Sequence, residues 1–152
     1  MLIFWFKVIC VYFSSVGFGL FMNLPHKALN FAGFDGVLGW LIYYWIITPY
    51  PAAIGQANFW GGLVVGLSAI IFARIKRMPS ILFEVTGLVP LVPGGQAYNF
   101  IKNFALGNYS AALNYLDQVI LIAGGIALGF IVSELLLKFE QRIRHLMVKR
   151  AI

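Results

Sequence analysis

The sequence predicts an all-α integral membrane protein of five crossings, N-terminus outside and C-terminus inside, with the fourth crossing discontinuous at Pro90–Gly95. Three observations predict it. Of 152 residues, 61% are hydrophobic and 11% charged, and the mean hydropathy is +0.88, whereas a soluble domain needs about a quarter charged residues to wet its surface. The apolar residues fall into runs long enough to cross a bilayer, which takes about 20 residues of helix. The basic residues gather between alternate runs, as on the cytoplasmic margin of a membrane protein. This composition excludes a soluble enzyme, a disordered linker and a disulfide-stapled secreted module. The net charge of +6 does not point to nucleic acid, because the 14 Phe, 7 Tyr and 4 Trp lie in apolar runs, not between basic residues. One cysteine, Cys10, permits neither an intrachain disulfide nor a Cys-rich metal site. No metal and no cofactor are expected.

The whole chain, 1–152, reads as a single transmembrane domain. The first crossing covers 2–22, with Lys7 near enough to its end to snorkel. It has a weak basic leader and no small-x-small cleavage site, so it reads as a crossing and not a signal peptide. The second covers 33–50 and is closed by Pro49 and Pro51. The third covers 52–73 and runs into Arg74-Ile75-Lys76-Arg77. The last covers 111–137 and is followed by a basic tail, 138–152.

The segment 79–107 is apolar enough to enter the membrane, but Pro90, Pro93, Gly94 and Gly95 break any helix in its middle. It is either a hairpin returning to one side or a crossing made of two half-helices. Charge decides. With Arg74–Arg77 and the tail both inside, the segment must make a net crossing. Lys27, Arg74, Lys76, Arg77, Lys138, Arg142, Arg144, Lys149 and Arg150 are then inside, nine of the eleven basic residues.

The break is the expected chemical centre. From Pro79 to Pro90 is about eleven residues, or ~16 Å of helix, which reaches the bilayer midplane. Irregular backbone at that depth is tolerated where it is buried in protein or lines a wet cavity. The second half-helix would start near Gly94-Gly95-Gln96 and aim free N–H groups and a positive dipole end at the midplane, a way to hold a substrate carboxylate. The plainer reading is a proline kink, which needs less than two prolines and a Gly pair. Pro90, Pro93, Gly94, Gly95, Gln96, Tyr98, Asn99 and Asn103 are therefore the expected substrate-binding set, Gln96, Asn99 and Asn103 sharing one helical face. Lys102 lies off that face and snorkels.

Asn114, Asp117 and Gln118 form a second polar patch at the start of the last helix, continued by Gly125, Gly129 and Ser133. Gly62 and Gly66, like Gly125 and Gly129, are spaced for close helix packing. Glu84 reads as the acidic residue well inside a crossing, where it either carries a proton or pairs with Arg77 or with a partner's cation. Asp35 reads as a cap or a matched charge at the start of the second helix. Glu134–Lys138 and Glu140–Arg144 are i,i+4 pairs of favourable polarity, and the tail rests on anionic lipid or on a partner. Trp40, Trp45 and Trp60 are interface anchors or core. Asn108-Tyr109-Ser110 matches a glycosylation acceptor by accident.

Two stretches carry a family resemblance. The first is Gly19-Leu-Phe-Met-Asn23-Leu-Pro25-His-Lys27-Ala28-Leu29, with Gly36, Gly39, Trp40 and Tyr43 following. The second is Met78-Pro79-Ser-Ile-Leu-Phe83, then Gly87-Leu-Val-Pro90-Leu-Val-Pro93-Gly94-Gly95-Gln-Ala-Tyr98. Together, over most of the chain, they resemble the membrane domain of the threonine/serine exporter family. More narrowly they resemble its short form, the small membrane subunit of a two-component exporter. The resemblance implies export of threonine, serine or, as in the succinate-exporting relatives, a dicarboxylate across the bacterial inner membrane, coupled to the proton gradient. It also implies a larger partner subunit of the same family. The chain departs from the pattern at Asp35, Glu84 and Thr86, where a small or apolar residue, an apolar residue and a proline are expected.

Enzyme motifs are missing. There is no His-Glu-x-x-His, no Gly-x-Ser-x-Gly and no pair of membrane aspartates, and His26 and His145 fall at the margin. The remaining alternative is a non-transporting scaffold subunit. Five crossings are a small surface for a complete path, so an oligomer is expected.

Overall fold

The computed structural model describes the backbone of residues 1–51 and 53–150, and side chains through Arg142. It is built of helices: α1 (Leu2–Phe21), α2 (His26–Ile47), α3 (Ile54–Lys76), α4 (Ile81–Leu88), a single 3-10 turn (Val89–Leu91), α5 (Gly94–Ala105) and α6 (Tyr109–Arg150). Among the described residues there is no strand. Three helices have the length and hydropathy of a membrane span: Leu2–Phe21, Ile54–Lys76 and, within α6, Tyr109–Arg142. The stretch Ile81–Leu91 is a shorter apolar helix. α2 has 22 residues but carries His26, Lys27, Asn30 and Asp35, and falls outside that set.

The helix ends follow local chemistry. α1 closes through Asn23, whose φ of 56° is left-handed, a conformation its short polar side chain tolerates. The N–H of Leu24 donates to the Gly19 carbonyl at 2.8 Å. Pro25 then caps α2 with φ already set at −55°. α3 ends at a left-handed Arg77 (φ 52°), with the Met78 N–H donating to the Ala73 carbonyl at 3.0 Å and Pro79 preventing continuation. Between α5 and α6 the turn needs φ +77°, which Gly107 supplies.

The Asn23–Pro25 turn starts α2 seven residues earlier than the expected boundary of 33. This corrects the reading of Asp35. It does not sit at the start of the second helix; it lies nine residues after His26, about 14 Å along the axis at 1.5 Å per residue. Glu84 is therefore not alone as an acidic residue deep in a helix.

α1 and α2 pack antiparallel, Tyr12 and Val16 lying over Gly33, and the Tyr12 hydroxyl donating to Asn30 Oδ1 at 3.1 Å. α2 and α3 are antiparallel too, with Phe31 edge-on to Phe72 at 5.2 Å. α4 threads between α1, α2 and α3. α3 and α6 run in the same direction in close contact. A Cβ on Gly62 would come within 3.1 Å of the Ile126 carbonyl oxygen, and one on Gly129 within 2.5 Å of that of Phe59. Gly66 abuts Ser133, and Gly125 abuts the Gly55 carbonyl. At one end, Arg74 binds Glu140 through two nitrogens at 3.0 and 3.2 Å. Lys27, Arg74, Lys76, Arg77, Lys138 and Arg142 share that end of the bundle, while Lys7 and Lys102 lie towards the other.

Two apolar clusters form the interior. Leu24, Ala28, Leu29, Ala32, Ala69, Ala73 and Phe83 fill the charged end, and Val65, Leu91, Ile122 and Ile126 fill the middle of the α3–α6 contact. The outside is also apolar: Ile3, Trp5, Phe6 and Phe13 of α1 and Ile120, Leu128, Ile131 and Leu135 of α6 are exposed. Helices apolar on every side need a hydrocarbon solvent. Of the tryptophans, Trp40 is buried and stacked on Tyr44, while Trp45 and Trp60 face outward.

Candidate functional site

The backbone break is well defined. α4 gives way to the 3-10 turn at Val89, Val92 is extended (φ −60°, ψ 134°), and Pro93 caps α5. Pro90 packs on Gly36, and Leu91 on Gly39 and Gly61. The break thus lies past the middle of α2, counted from the charged end. In the first turn of α5 the Gly94 N–H turns back to the Val92 carbonyl at 2.8 Å and the Ala97 N–H reaches the Pro93 carbonyl at 2.9 Å. The N–H groups of Gly95 and Gln96 are left without a helical acceptor, as at any helix start.

The expected substrate-binding residues divide between two surroundings. Pro90 is inside the bundle. Gly94 and Gly95 are exposed, with open space where a side chain would lie. α5 packs chiefly against α6 and buries no residue completely. Its better-covered face carries Gln96, Asn99 and Asn103, and the Asn103 amide donates to the Asn99 carbonyl at 2.8 Å. Tyr98, Ile101 and Phe104 point outward, as does Lys102. In the second patch, Asn114 and Asp117 are exposed and Gln118 is half-buried. An open groove of about 760 Å³ lies elsewhere, between the α2–α3 connection and Leu121 of α6.

A second polar group lies between the two apolar clusters, and the sequence reading missed it. Asp35 of α2 is fully buried. Its Oδ1 is hydrogen-bonded to Ser68 Oγ of α3, and its Oδ2 abuts Gly87 of α4 without a hydrogen-bond partner. Ser15 of α1, also fully buried and unpartnered at Oγ, presses on Gly36, the residue after Asp35. Thr86, the residue before Gly87, is buried with its Cγ2 towards Gly19 of α1 and turns its hydroxyl back to the Leu82 and Phe83 carbonyls at 2.9 and 3.0 Å. Four helices converge here, and only glycine at 36 and 87 lets them. The available signal was a lone aspartate in an apolar run, Ala32-Gly33-Phe34-Asp35-Gly36-Val37-Leu38. Its partners are 20 to 52 residues away and have no spacing that ties them to it.

Glu84 is half-buried and lies one turn before Gly87 on the same side of α4, towards the charged end. The expected pair with Arg77 does not form: the ion pairs among the described residues are Arg74–Glu140 at 3.0 Å and Lys138–Glu134 at 3.8 Å. The second of these matches the expected i,i+4 pair. The expected Glu140–Arg144 pair and the contacts of the tail beyond Arg142 lie outside the described residues. Among those residues no group of three His, Cys, Asp or Glu is arranged to hold a metal.

The sequence profile of the family described as "Threonine/Serine exporter, ThrE" matches residues 7–136. That is most of the chain, from α1 through the break and into α6. The chain belongs to the threonine/serine exporter family. Membership puts it with membrane exporters, in keeping with its apolar outer surface. No solved structure matches this exporter-family chain.

Proposed function

We propose that the chain is the membrane subunit of a secondary transporter exporting small carboxylate metabolites of the threonine/serine class from the bacterial cytoplasm. It works with a larger partner subunit of the same family and draws on the proton gradient. One observation carries the reading. The chain breaks at Pro90–Gly95, deep along the bundle, and restarts as a 12-residue helix whose Gly95 and Gln96 N–H groups are free. A helix start is a positive dipole end with unpaired donors, suited to a carboxylate. Discontinuous helices serve transporters in this way near the bilayer midplane. Gln96, Asn99 and Asn103 extend donors and acceptors along the same helix, for the amine or hydroxyl of the cargo.

The open side of α5 supports an oligomer. Among the described residues Gly94 and Gly95 have no neighbour beside them, so a second subunit would be needed to close the site and exclude lipid. Glu84, half-buried and outside both ion pairs, is the candidate to take up protons from the charged end.

The test is flux of labelled threonine in proteoliposomes under an imposed proton gradient, with serine and succinate as competitors. The chain is run alone and with its larger partner. Gradient-driven flux in the combined preparation is the expected result, and the stronger competitor names the substrate class. Flux from this chain alone would indicate a self-sufficient homo-oligomer. An intact complex without flux would favour a scaffold.

A further inference from the structure

We infer that Asp35, with Ser68 as its hydrogen-bond partner, is a buried proton-binding site of this chain, set beside the half-helix that leads into the break. The inference rests on the proton-coupled reading for its purpose but not for its detection.

Proton counting carries it. Ser68 Oγ has one hydrogen. It lies 2.7 Å from the Val64 carbonyl, the usual back-bond of a helical serine, and it is also bonded to Asp35 Oδ1. A carbonyl and an ionised carboxylate are both acceptors only. Both contacts are hydrogen bonds at once when the carboxyl carries a proton and donates it to Ser68, which donates in turn to Val64. The chain Asp35 → Ser68 → Val64 then has every hydrogen assigned. When Asp35 releases its proton, the Ser68 hydroxyl must turn from Val64 to Oδ1.

The surroundings make that release consequential. Asp35 touches Ser68 of α3 and Gly87 of α4, Ser15 of α1 lies against the neighbouring Gly36, and Glu84 of α4 is near enough to act on it electrostatically. Of these Glu84 is the charged one, and it repels a second negative charge. The lysines and arginines among the described residues lie at the bundle ends. Among the described residues Oδ2 has no donor, and it rests on Gly87. An ionised carboxylate left this way, buried and unpaired, is expensive. It is relieved when water or a donor enters between α2 and α4, and α4 ends at Leu88, where the 3-10 turn and the break begin. Loss of the proton therefore pushes on the element that positions the start of α5.

The experiment is infrared difference spectroscopy of the full chain in nanodiscs between acid and alkaline buffer, in H2O and D2O, reading the C=O stretch of a protonated carboxyl. A band from a water-shielded carboxyl is expected in the unmodified chain, retained in Glu84→Gln and lost in Asp35→Asn. In Ser68→Ala it is expected to remain but to shift in frequency, because its acceptor is gone. A band that persists in Asp35→Asn overturns the inference, as does a chain with no such band across the titration. If Asp35→Asn does not give a monodisperse protein, Ser68→Ala decides: a shifted band supports the site and an unshifted one overturns it. Lack of flux in proteoliposomes would leave this band untouched, and intact flux without the band would leave the exporter reading standing.

Discussion

Gly129 of α6 lies directly against the backbone of Phe59 in α3: a Cβ there would stand 2.5 Å from the Phe59 carbonyl oxygen and 2.7 Å from the Leu63 nitrogen. Backbone cannot move aside as a side-chain tip can. Gly129→Leu is therefore expected to separate α3 from α6 and to destabilise the fold by ~1–3 kcal/mol or more. Thermal unfolding in detergent measures it. Gly124→Ala, where the space is open, is expected to have little effect in the same assay.

Phe83 is fully buried against Phe72 and the alanines at the charged end. Truncation to alanine removes most of a ring from a cluster whose small residues cannot expand to fill the gap. Phe83→Ala is expected to cost ~3–5 kcal/mol and Phe83→Leu clearly less. Chemical denaturation of the purified protein checks the order.

Arg74 and Glu140 join the charged ends of α3 and α6 through two hydrogen bonds, with both side chains about half exposed (49% and 46%). Exposed pairs contribute little, and salt screens them. Reversing either charge alone is expected to lower the unfolding temperature slightly at low salt. Reversing both together is expected to restore it, and high salt is expected to erase the difference.

Gln96 and Asn99 line the covered face of α5 beside the free N–H groups at the break. On the proposed reading, replacing either with alanine is expected to remove a hydrogen bond to the cargo and to weaken transport roughly tenfold, a loss of about 1.4 kcal/mol. Complex formation with the larger subunit should survive. Lost assembly with unchanged transport per complex would contradict the assignment and favour the scaffold.

Glu84→Gln keeps the size of the side chain and removes its charge. Transport by this variant is expected to lose its dependence on the imposed proton gradient. An unchanged pH profile would remove Glu84 from the coupling path.

Much of the architecture was legible in the sequence because membrane residence and helix breaks are written locally. The long apolar runs and the prolines at 90 and 93 each act on the backbone within a few residues, and α1 and the break between α4 and α5 stand where those signals stand. The error at the start of α2 arose because His26 and Lys27 look like loop residues, although a helix capped by Pro25 accepts them in its first turn. That shift of one element moved Asp35 from a helix end to the interior.

The sequence by itself therefore determined the solvent, the helical class, the position of the break and the family. Only the tertiary structure decided that Asp35 meets Ser68 and Gly87, that Ser15 presses on Gly36, and that α3 and α6 touch along their glycines. Those meetings depend on which helix faces fit together. Close approach is selected by the shape of whole surfaces separated by tens of residues, and apolar composition is the same on every face of a helix that lipid surrounds.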